Sequence, residues 1–181
     1  CAYANADAML KDLRVIADAL QANGMSRLAM GRLAKLSRSV KAFGFSLAPL
    51  DLRQNSDVFE VVIHDLLAQA TLGQVNYRSL DEAGRIQVLT RELETPRLLF
   101  NESLKYEELT LKEMAIFRTA GQAHKLYGPA CIRNCIISKT DSVSDMLELA
   151  VLLKEAHLLN VEAGLMFERN APSHDVLVAL S

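Results

Sequence analysis

Apolar residues recur at helical spacing through the first forty residues of the chain. Over residues 3–22 they follow three- and four-residue steps with charged residues off the stripe, at Leu10, Leu13, Ile16, Ala17 and Leu20. Asn23-Gly24 is typical of a helix end, and a second helix is predicted over residues 26–43 with an apolar stripe of its own: Leu28, Leu33, Leu36 and Val40. Its basic residues are interpreted as a solvated face rather than a binding patch: Arg27, Arg32, Lys35, Arg38 and Lys41.

The pattern changes in the middle of the chain. Residues 45–53 form a short stretch bounded by turn-forming residues, which predicts a strand whose apolar face carries Leu50 and Leu52. Asp57 and Glu60 have the spacing of a capping box, which predicts that a helix begins there. A further helix is predicted over residues 81–93, before a proline that disfavours continuation.

The second half of the chain predicts a long helix over residues 104–126 and then a buried strand around Cys135-Ile136-Ile137. Ser142 and Asp145 form a second capping box before a helix over residues 146–158, and a third strand is predicted over residues 160–167. One helix between two strands predicts parallel pairing, and the longer interval of about 80 residues before it must hold inserted helices. The pattern therefore predicts a mostly α fold with a few parallel strands.

Composition narrows the classes of function. The chain has 181 residues, of which 50% are hydrophobic and 23% charged, with a formal net charge of −2. This balance is that of a soluble globular protein and provides no basic field for nucleic acid or anionic lipid. No apolar run approaches the roughly 18 residues needed to span a bilayer, and no signal peptide is visible. Because the chain opens with Cys1, we expect an excised or processed segment.

The cysteines and histidines do not form a recognisable site in the sequence. Cys131 and Cys135 have CxxxC spacing without a second pair nearby, so we expect reduced, buried thiols rather than a metal site. Three histidines are scattered without the spacing of a triad or zinc site: His64, His124 and His174.

Four stretches, in this order and spacing, resemble phosphoenolpyruvate carboxylase of the bacterial type. They are FGF at 43–45 leading to LDLRQNSDV at 50–58, LTREL with TPR at 89–97, YGPA at 127–130, and IISKTDSVSDMLE at 136–148 continuing to LLKEA at 152–156. The resemblance implies an internal fragment of a helix-elaborated (β/α)8 TIM-type barrel. Residues 1–44 would be helices and 45–168 a strand and helix portion of the barrel, followed by a tail, 169–181, that we do not place.

The resemblance also implies a reaction. The family carboxylates phosphoenolpyruvate with bicarbonate to give oxaloacetate and phosphate, uses Mg²⁺ (or Mn²⁺), and forms homotetramers in the cytoplasm. The family's catalytic histidine motif lies upstream of the matching stretches, and its glycine-rich loop and second metal carboxylate lie downstream. We therefore expect the isolated chain to be inactive. A non-catalytic helical scaffold or interaction protein derived from a truncated carboxylase is the alternative, motivated by the altered sequence after Leu159.

Arg53 is the candidate catalytic and substrate-binding residue. Strand alternation places it on one face with Asp51, near the C-terminal end of the strand, where barrel enzymes hold their sites. A guanidinium there can hold a phosphate through two parallel hydrogen bonds. In the family motif that this segment resembles, the arginine lies near the phosphoenolpyruvate phosphate, and Asp51 would orient it. Without the resemblance, a structural ion pair of Asp51 is favoured.

Glu168 is the candidate metal ligand. The family has a metal-binding glutamate in a Leu-Phe-Glu-Thr segment, and this chain has Leu165-Met166-Phe167-Glu168-Arg169. A carboxylate is a suitable hard ligand for Mg²⁺. The preceding proline and the following hydroxyl residue are missing, so a surface glutamate paired with Arg169 stays open.

Four further residues near predicted element ends are noted. Gln54, Ser138 and Lys139 lie near strand ends and receive no role. His157 falls where the family commonly has glycine, and we expect it to take the left-handed position that ends a helix.

Overall fold

The computed structural model describes residues 3–46 and 48–159, together with the backbone of residues 167–170 and 175–179. The chain is mostly helical and divides into two compact units, Cys1–Pro49 and Leu50–Ser181. In the described parts, every helix is too short or too polar to cross a membrane.

The first unit is made of helices. Helix α1, Ala6–Ala22, begins at Asn5, whose side chain accepts a hydrogen bond from the backbone N–H of Ala8 at 2.9 Å. The predicted helix over 26–43 is interrupted: α2, Ser26–Leu28, continues through a π-helical turn, Ala29–Leu33, into α3, Ala34–Phe43.

The apolar stripe predicted over residues 26–43 is only partly buried. Gly31, inside the π-helical turn, has non-helical backbone angles (φ −84°, ψ −123°), so the helix is kinked there. Val40 is buried, whereas Leu28 and Leu36, predicted on the same stripe, are 62% and 43% exposed. The five basic residues predicted to face solvent are all exposed.

The second unit carries a sheet and four longer helices. In chain order, its elements are β1 Leu50–Asn55, α4 Ser56–Ala70, α5 Glu82–Glu94, α6 Glu108–Tyr127, β2 Ile132–Ser138, α7 Val143–Glu155, β3 Phe167–Asn170 and β4 Asp175–Ala179. Two short 3-10 turns, Tyr77–Ser79 and Pro129–Cys131, lie between helices and before β2.

Sheet order is β1-β2-β4-β3. Strands β1 and β2 are parallel, as expected for strands joined through a long helical interval, while β4 is antiparallel to both β2 and β3. The predicted third strand over 160–167 lies outside the described residues except for Phe167. The parallel pairing predicted for that strand therefore stays a prediction. Among the described strands, β3 runs in the same direction as β2, with β4 between them.

The core of the second unit lies between the helices and one face of the sheet. Cys135 and Ile137 of β2 are buried in it, and Leu52 of β1 packs against it from a partly buried position. Its fully buried side chains come chiefly from α4 and α7, among them Phe59, Ile63, Leu66, Leu149, Leu152 and Leu153. The opposite face of β1 and β2 is therefore the face that points away from this core.

The predictions for helix ends agree with the structure at Ser142 and His157 and differ at Asp57. The capping box at Ser142 and Asp145 is present, and His157 has a left-handed φ of 56° just after α7, as predicted. The capping box predicted at Asp57 is wrong, because α4 begins at Ser56 directly after β1 and Asn55 is its N-cap. Glu60 instead contacts Arg85 at 2.9 Å.

Candidate active site

The C-terminal ends of the two parallel strands bring the candidate residues together. In the register of β1 and β2, Arg53 pairs with Ile136, and Asn55 pairs with Ser138. Each strand then enters a new segment at this edge: β1 passes directly into α4, and β2 turns at Lys139. Parallel strands expose their carboxyl ends at one edge, which is where α/β folds place their sites.

Arg53 lies on the face of β1 that points away from the helical core. Alternation along the strand sends Leu52 and Gln54 towards the helices, while Asp51 and Arg53 are exposed on the other face. Leu50 departs from the predicted apolar face, since it is 66% exposed at the start of the strand.

The guanidinium of Arg53 is held by a side chain of the neighbouring strand. Its Nε donates a hydrogen bond to Oγ of Ser138 at 3.1 Å. Ser138 is the last residue of β2 and is 9% exposed, so a largely buried hydroxyl anchors an exposed cation. Sequence reasoning assigned no role to Ser138.

A second serine joins the two strand ends through the backbone. Ser56 Oγ, at the first position of α4, donates to the carbonyl of Lys139 at 2.8 Å. Lys139 has a φ of 61°, in the left-handed region that few non-glycine residues occupy. Its ammonium lies 3.5 Å from Asp57, and both of these side chains are well exposed. The hydrogen bond from Ser56 to Lys139 therefore joins the C-terminal ends of β1 and β2 next to Arg53.

Gln54 ties the end of β1 to the helical layer. Its Nε2 donates to Oε1 of Glu113 on α6 at 3.0 Å, and its Oε1 accepts the backbone N–H of Asn55 at 2.9 Å. Glu113 is 4% exposed and Gln54 is half-buried. Gln54 therefore stabilises the turn from strand to helix from the side opposite Arg53.

Asp51 contacts the neighbouring strand too. Its Oδ1 accepts a hydrogen bond from Nδ2 of Asn134 at 2.9 Å. The role predicted for Asp51, orienting Arg53, stays a prediction, whereas the contact between Ser138 and Arg53 is visible.

The comparisons with known proteins bear on this edge of the sheet. The family model described as phosphoenolpyruvate carboxylase matches residues 1–173. The chain belongs to the phosphoenolpyruvate carboxylase family. It is 55% identical over 157 residues to the phosphoenolpyruvate carboxylase of Aromatoleum aromaticum, and 53% identical over 157 residues to that of Azoarcus sp.. Identity to that of Mycolicibacterium paratuberculosis is 45% over 158 residues.

These matches cover most of this chain and a small part of each relative. Each covers 87% of the chain and 17% of the relative's length. The resemblance stated from four short stretches is thereby confirmed. The described residues form helices and one pair of parallel strands, β1 and β2. A complete barrel is not visible in them.

Glu168, the predicted metal ligand, lies on β3. Its backbone pairs with Leu177 of β4, and Leu177 in turn pairs with Ile136, the partner of Arg53. Glu168 and Arg53 therefore share one cross-strand row, three strand spacings or about 14 Å apart. The side chain of Glu168 lies outside the described residues.

No set of metal ligands is complete within the part of the chain whose side chains are described. There, no group of three or more His, Cys, Asp or Glu residues could hold a metal ion. Cys135 is buried on the core side of β2, where burial raises the pKa of its thiol to about 12. Cys131 and Cys135 are both free thiols, but only Cys135 is buried as expected, since Cys131 is partly exposed.

Proposed function

We propose that this chain is part of a phosphoenolpyruvate carboxylase and supplies the barrel strand that carries Arg53 to the active site. The observation that carries the proposal is the position of Arg53 near the C-terminal edge of two parallel strands, exposed on the face away from the helical core. The family match supports a phosphorylated three-carbon acid as the substrate to which this cation would bind.

Arg53 would act on the phosphoryl group. Transfer of a phosphoryl group depends mainly on positioning and on stabilising negative charge, and a guanidinium is suited to both. The phosphoryl group leaves the enol oxygen of phosphoenolpyruvate and joins an oxygen of bicarbonate, giving the pyruvate enolate and carboxyphosphate. Carboxyphosphate then breaks its C–O bond to release carbon dioxide and phosphate, and the enolate carbon attacks the carbon dioxide to form oxaloacetate. Phosphate keeps the bicarbonate proton.

A divalent metal, Mg²⁺ (or Mn²⁺), belongs to the proposal. It would supply positive charge to oxygen atoms of the reacting groups, and Glu168 would be one of its ligands because a carboxylate is a hard oxygen donor. The described side chains include no group of three or more His, Cys, Asp or Glu residues that could hold the metal by themselves. From the family we expect each full-length subunit to form a helix-elaborated TIM barrel, and the subunits to assemble into a homotetramer in the cytoplasm.

The test is a coupled assay for oxaloacetate on the full-length protein whose reading frame contains this chain. Phosphoenolpyruvate, bicarbonate and Mg²⁺ should together give oxaloacetate, and omission of any one should abolish it. The isolated chain should give none. A full-length product that folds but forms no oxaloacetate under these conditions would favour the alternative, a non-catalytic helical scaffold derived from a carboxylase.

A further inference from the structure

We propose that Ser138 is a positioning residue for Arg53 and thereby controls the binding of the phosphorylated substrate. The inference rests on the proposed function, because it assigns to Ser138 the task of orienting the guanidinium that would contact the phosphate. It begins from the hydrogen bond that joins these two side chains across the parallel strands, Nε of Arg53 to Oγ of Ser138 at 3.1 Å.

Sheet geometry explains why these two residues meet. Arg53 is level with Ile136, and Ser138 is two residues further towards the C-terminal edge on the same face. An arginine side chain that leans along its strand towards this edge brings Nε to the neighbouring strand's last residue. The long side chain is thus directed towards the strand exits rather than outward from the middle of the sheet.

The nitrogen that Ser138 holds determines the direction of the guanidinium. Nε is the nitrogen nearest the aliphatic stem, so a bond to it fixes the plane of the group. An arginine binds a phosphate best when two parallel N–H groups meet two oxygens, and this geometry requires a fixed plane. Ser138 would therefore raise affinity by reducing the rotamer freedom that Arg53 loses when substrate binds.

Ser138 is itself fixed by its surroundings. It is 9% exposed, and the residue after it, Lys139, is tied by its carbonyl to Ser56 Oγ at 2.8 Å. Thr140 Oγ1 donates to the carbonyl of Ile137 at 3.3 Å, so the chain is bonded on both sides of the serine. A hydroxyl on a rigid backbone is the arrangement that a positioning role needs.

The same junction provides a matched control. Ser56 and Ser138 are both serines, both largely buried, and both link the end of β1 to the end of β2. Ser56 contacts a backbone carbonyl, whereas Ser138 contacts the candidate substrate-binding cation. A general loosening of the junction should follow from either substitution, but a change in the direction of Arg53 should follow from only one.

The experiment compares Ser138→Ala, Ser138→Thr and Ser56→Ala in the full-length carboxylase. Ser138→Ala should raise the KM for phosphoenolpyruvate about ten-fold and leave the KM for bicarbonate near the parent value, with a fall in melting temperature no larger than that of Ser56→Ala. Ser138→Thr keeps the hydroxyl and should restore most of the affinity. Ser56→Ala should lower the melting temperature and leave the KM for phosphoenolpyruvate within about two-fold.

A double-mutant cycle with Arg53→Lys separates this role from a merely structural one. Lysine has no Nε–H in the position that Ser138 contacts, so Ser138→Ala should have little further effect in that background. An unchanged KM for phosphoenolpyruvate in Ser138→Ala would overturn the inference, and so would an increase that is as large in the Arg53→Lys background as in the parent. Full activity of Arg53→Ala would instead defeat the proposed function itself, so the two failures are distinguishable.

Discussion

Tyr77 and Glu148 form a hydrogen bond between two completely buried side chains. Oη of Tyr77 donates to Oε1 of Glu148 at 2.7 Å, and both residues have 0% exposed surface. Oε2 of Glu148 has no hydrogen-bond partner among the described residues. Burial raises the pKa of this carboxyl to about 8, and the carboxylates of Asp145 and Glu60 act in the same direction, while Tyr77 and Arg85 oppose the change. The carboxyl is therefore protonated in the folded chain at neutral pH.

The raised pKa of Glu148 predicts that stability falls as pH rises. The folded state binds the proton more tightly than the unfolded state, whose carboxyl has an ordinary pKa of 4.5. The stabilisation is fully present below about pH 4.5 and is lost on the way to pH 8, with a slope of at most about 1.4 kcal/mol per pH unit. Urea unfolding of this chain at a series of pH values measures that slope.

Glu148→Gln should remove this pH dependence, because glutamine keeps the shape and has no proton to lose. The free energy of unfolding of the variant minus that of the parent should therefore be larger at pH 8 than at pH 5. The control is Glu102→Gln, whose side chain is 73% exposed and which should leave the slope as it is. An equal slope in the parent and in Glu148→Gln would show that Glu148 does not titrate in this range.

Gly121 on α6 allows the end of α7 to approach closely. A Cβ at this position would lie 2.4 Å from the carbonyl oxygen of Ala156, which belongs to the backbone and cannot swing aside. Gly121→Ala should therefore lower the free energy of unfolding by about 1–3 kcal/mol, despite the better helix propensity of alanine.

Gly84→Ala is the control for this substitution. Its new Cβ would first meet the side-chain oxygen of Asp81 at 3.1 Å, and that side chain can adjust. We expect its stability to stay within about 1 kcal/mol of the parent. If urea unfolding found Gly121→Ala as stable as Gly84→Ala, the inference that α6 and the end of α7 approach too closely for a Cβ would be wrong.

His157 occupies a position that favours glycine. Its φ is 56°, and the backbone beyond the end of α7 donates hydrogen bonds into the last turn, from His157 N to Lys154 O and from Leu158 N to Leu153 O. His157→Gly should raise the free energy of unfolding by about 1 kcal/mol, because glycine adopts this φ without steric cost. Urea unfolding of His157→Gly and of His157→Ala, each compared with the parent, tests this explanation. Alanine retains the steric cost, so a comparable gain in that variant would contradict it.

Local signals in the sequence were enough for the order of the helices and for several ends. The Asn23-Gly24 pair and the Ser142 capping box each act within one turn of a helix, so spacing alone identifies them. The predicted start of α4 was wrong because strand β1 runs into the helix without a loop. Ser56 there bonds to Lys139 rather than capping its own helix.

The contacts that build the candidate site are not local. Ser138 lies 85 residues from Arg53 in sequence, and register between parallel strands is not encoded in the periodicity of either strand. One signal was present: alternation from the buried Cys135 and Ile137 places Ser138 on the other face, at a strand end. The pairing of β4 with β2 and β3 was not predicted, because residues 169–181 have a mixed pattern that does not identify a strand.

The most direct measurement of the central claim is kcat/KM for phosphoenolpyruvate in the full-length protein with Arg53→Ala, compared with Arg133→Ala. Both arginines are exposed, but Arg133 lies near the start of β2, at the opposite end of the parallel strands. Arg53→Ala should lower kcat/KM by about 100-fold or more with the melting temperature unchanged, since it removes the cation proposed to bind the phosphoryl group. Arg133→Ala should stay within about two-fold. Near-normal kcat/KM in Arg53→Ala, or equal losses in the two variants, would contradict the role of Arg53.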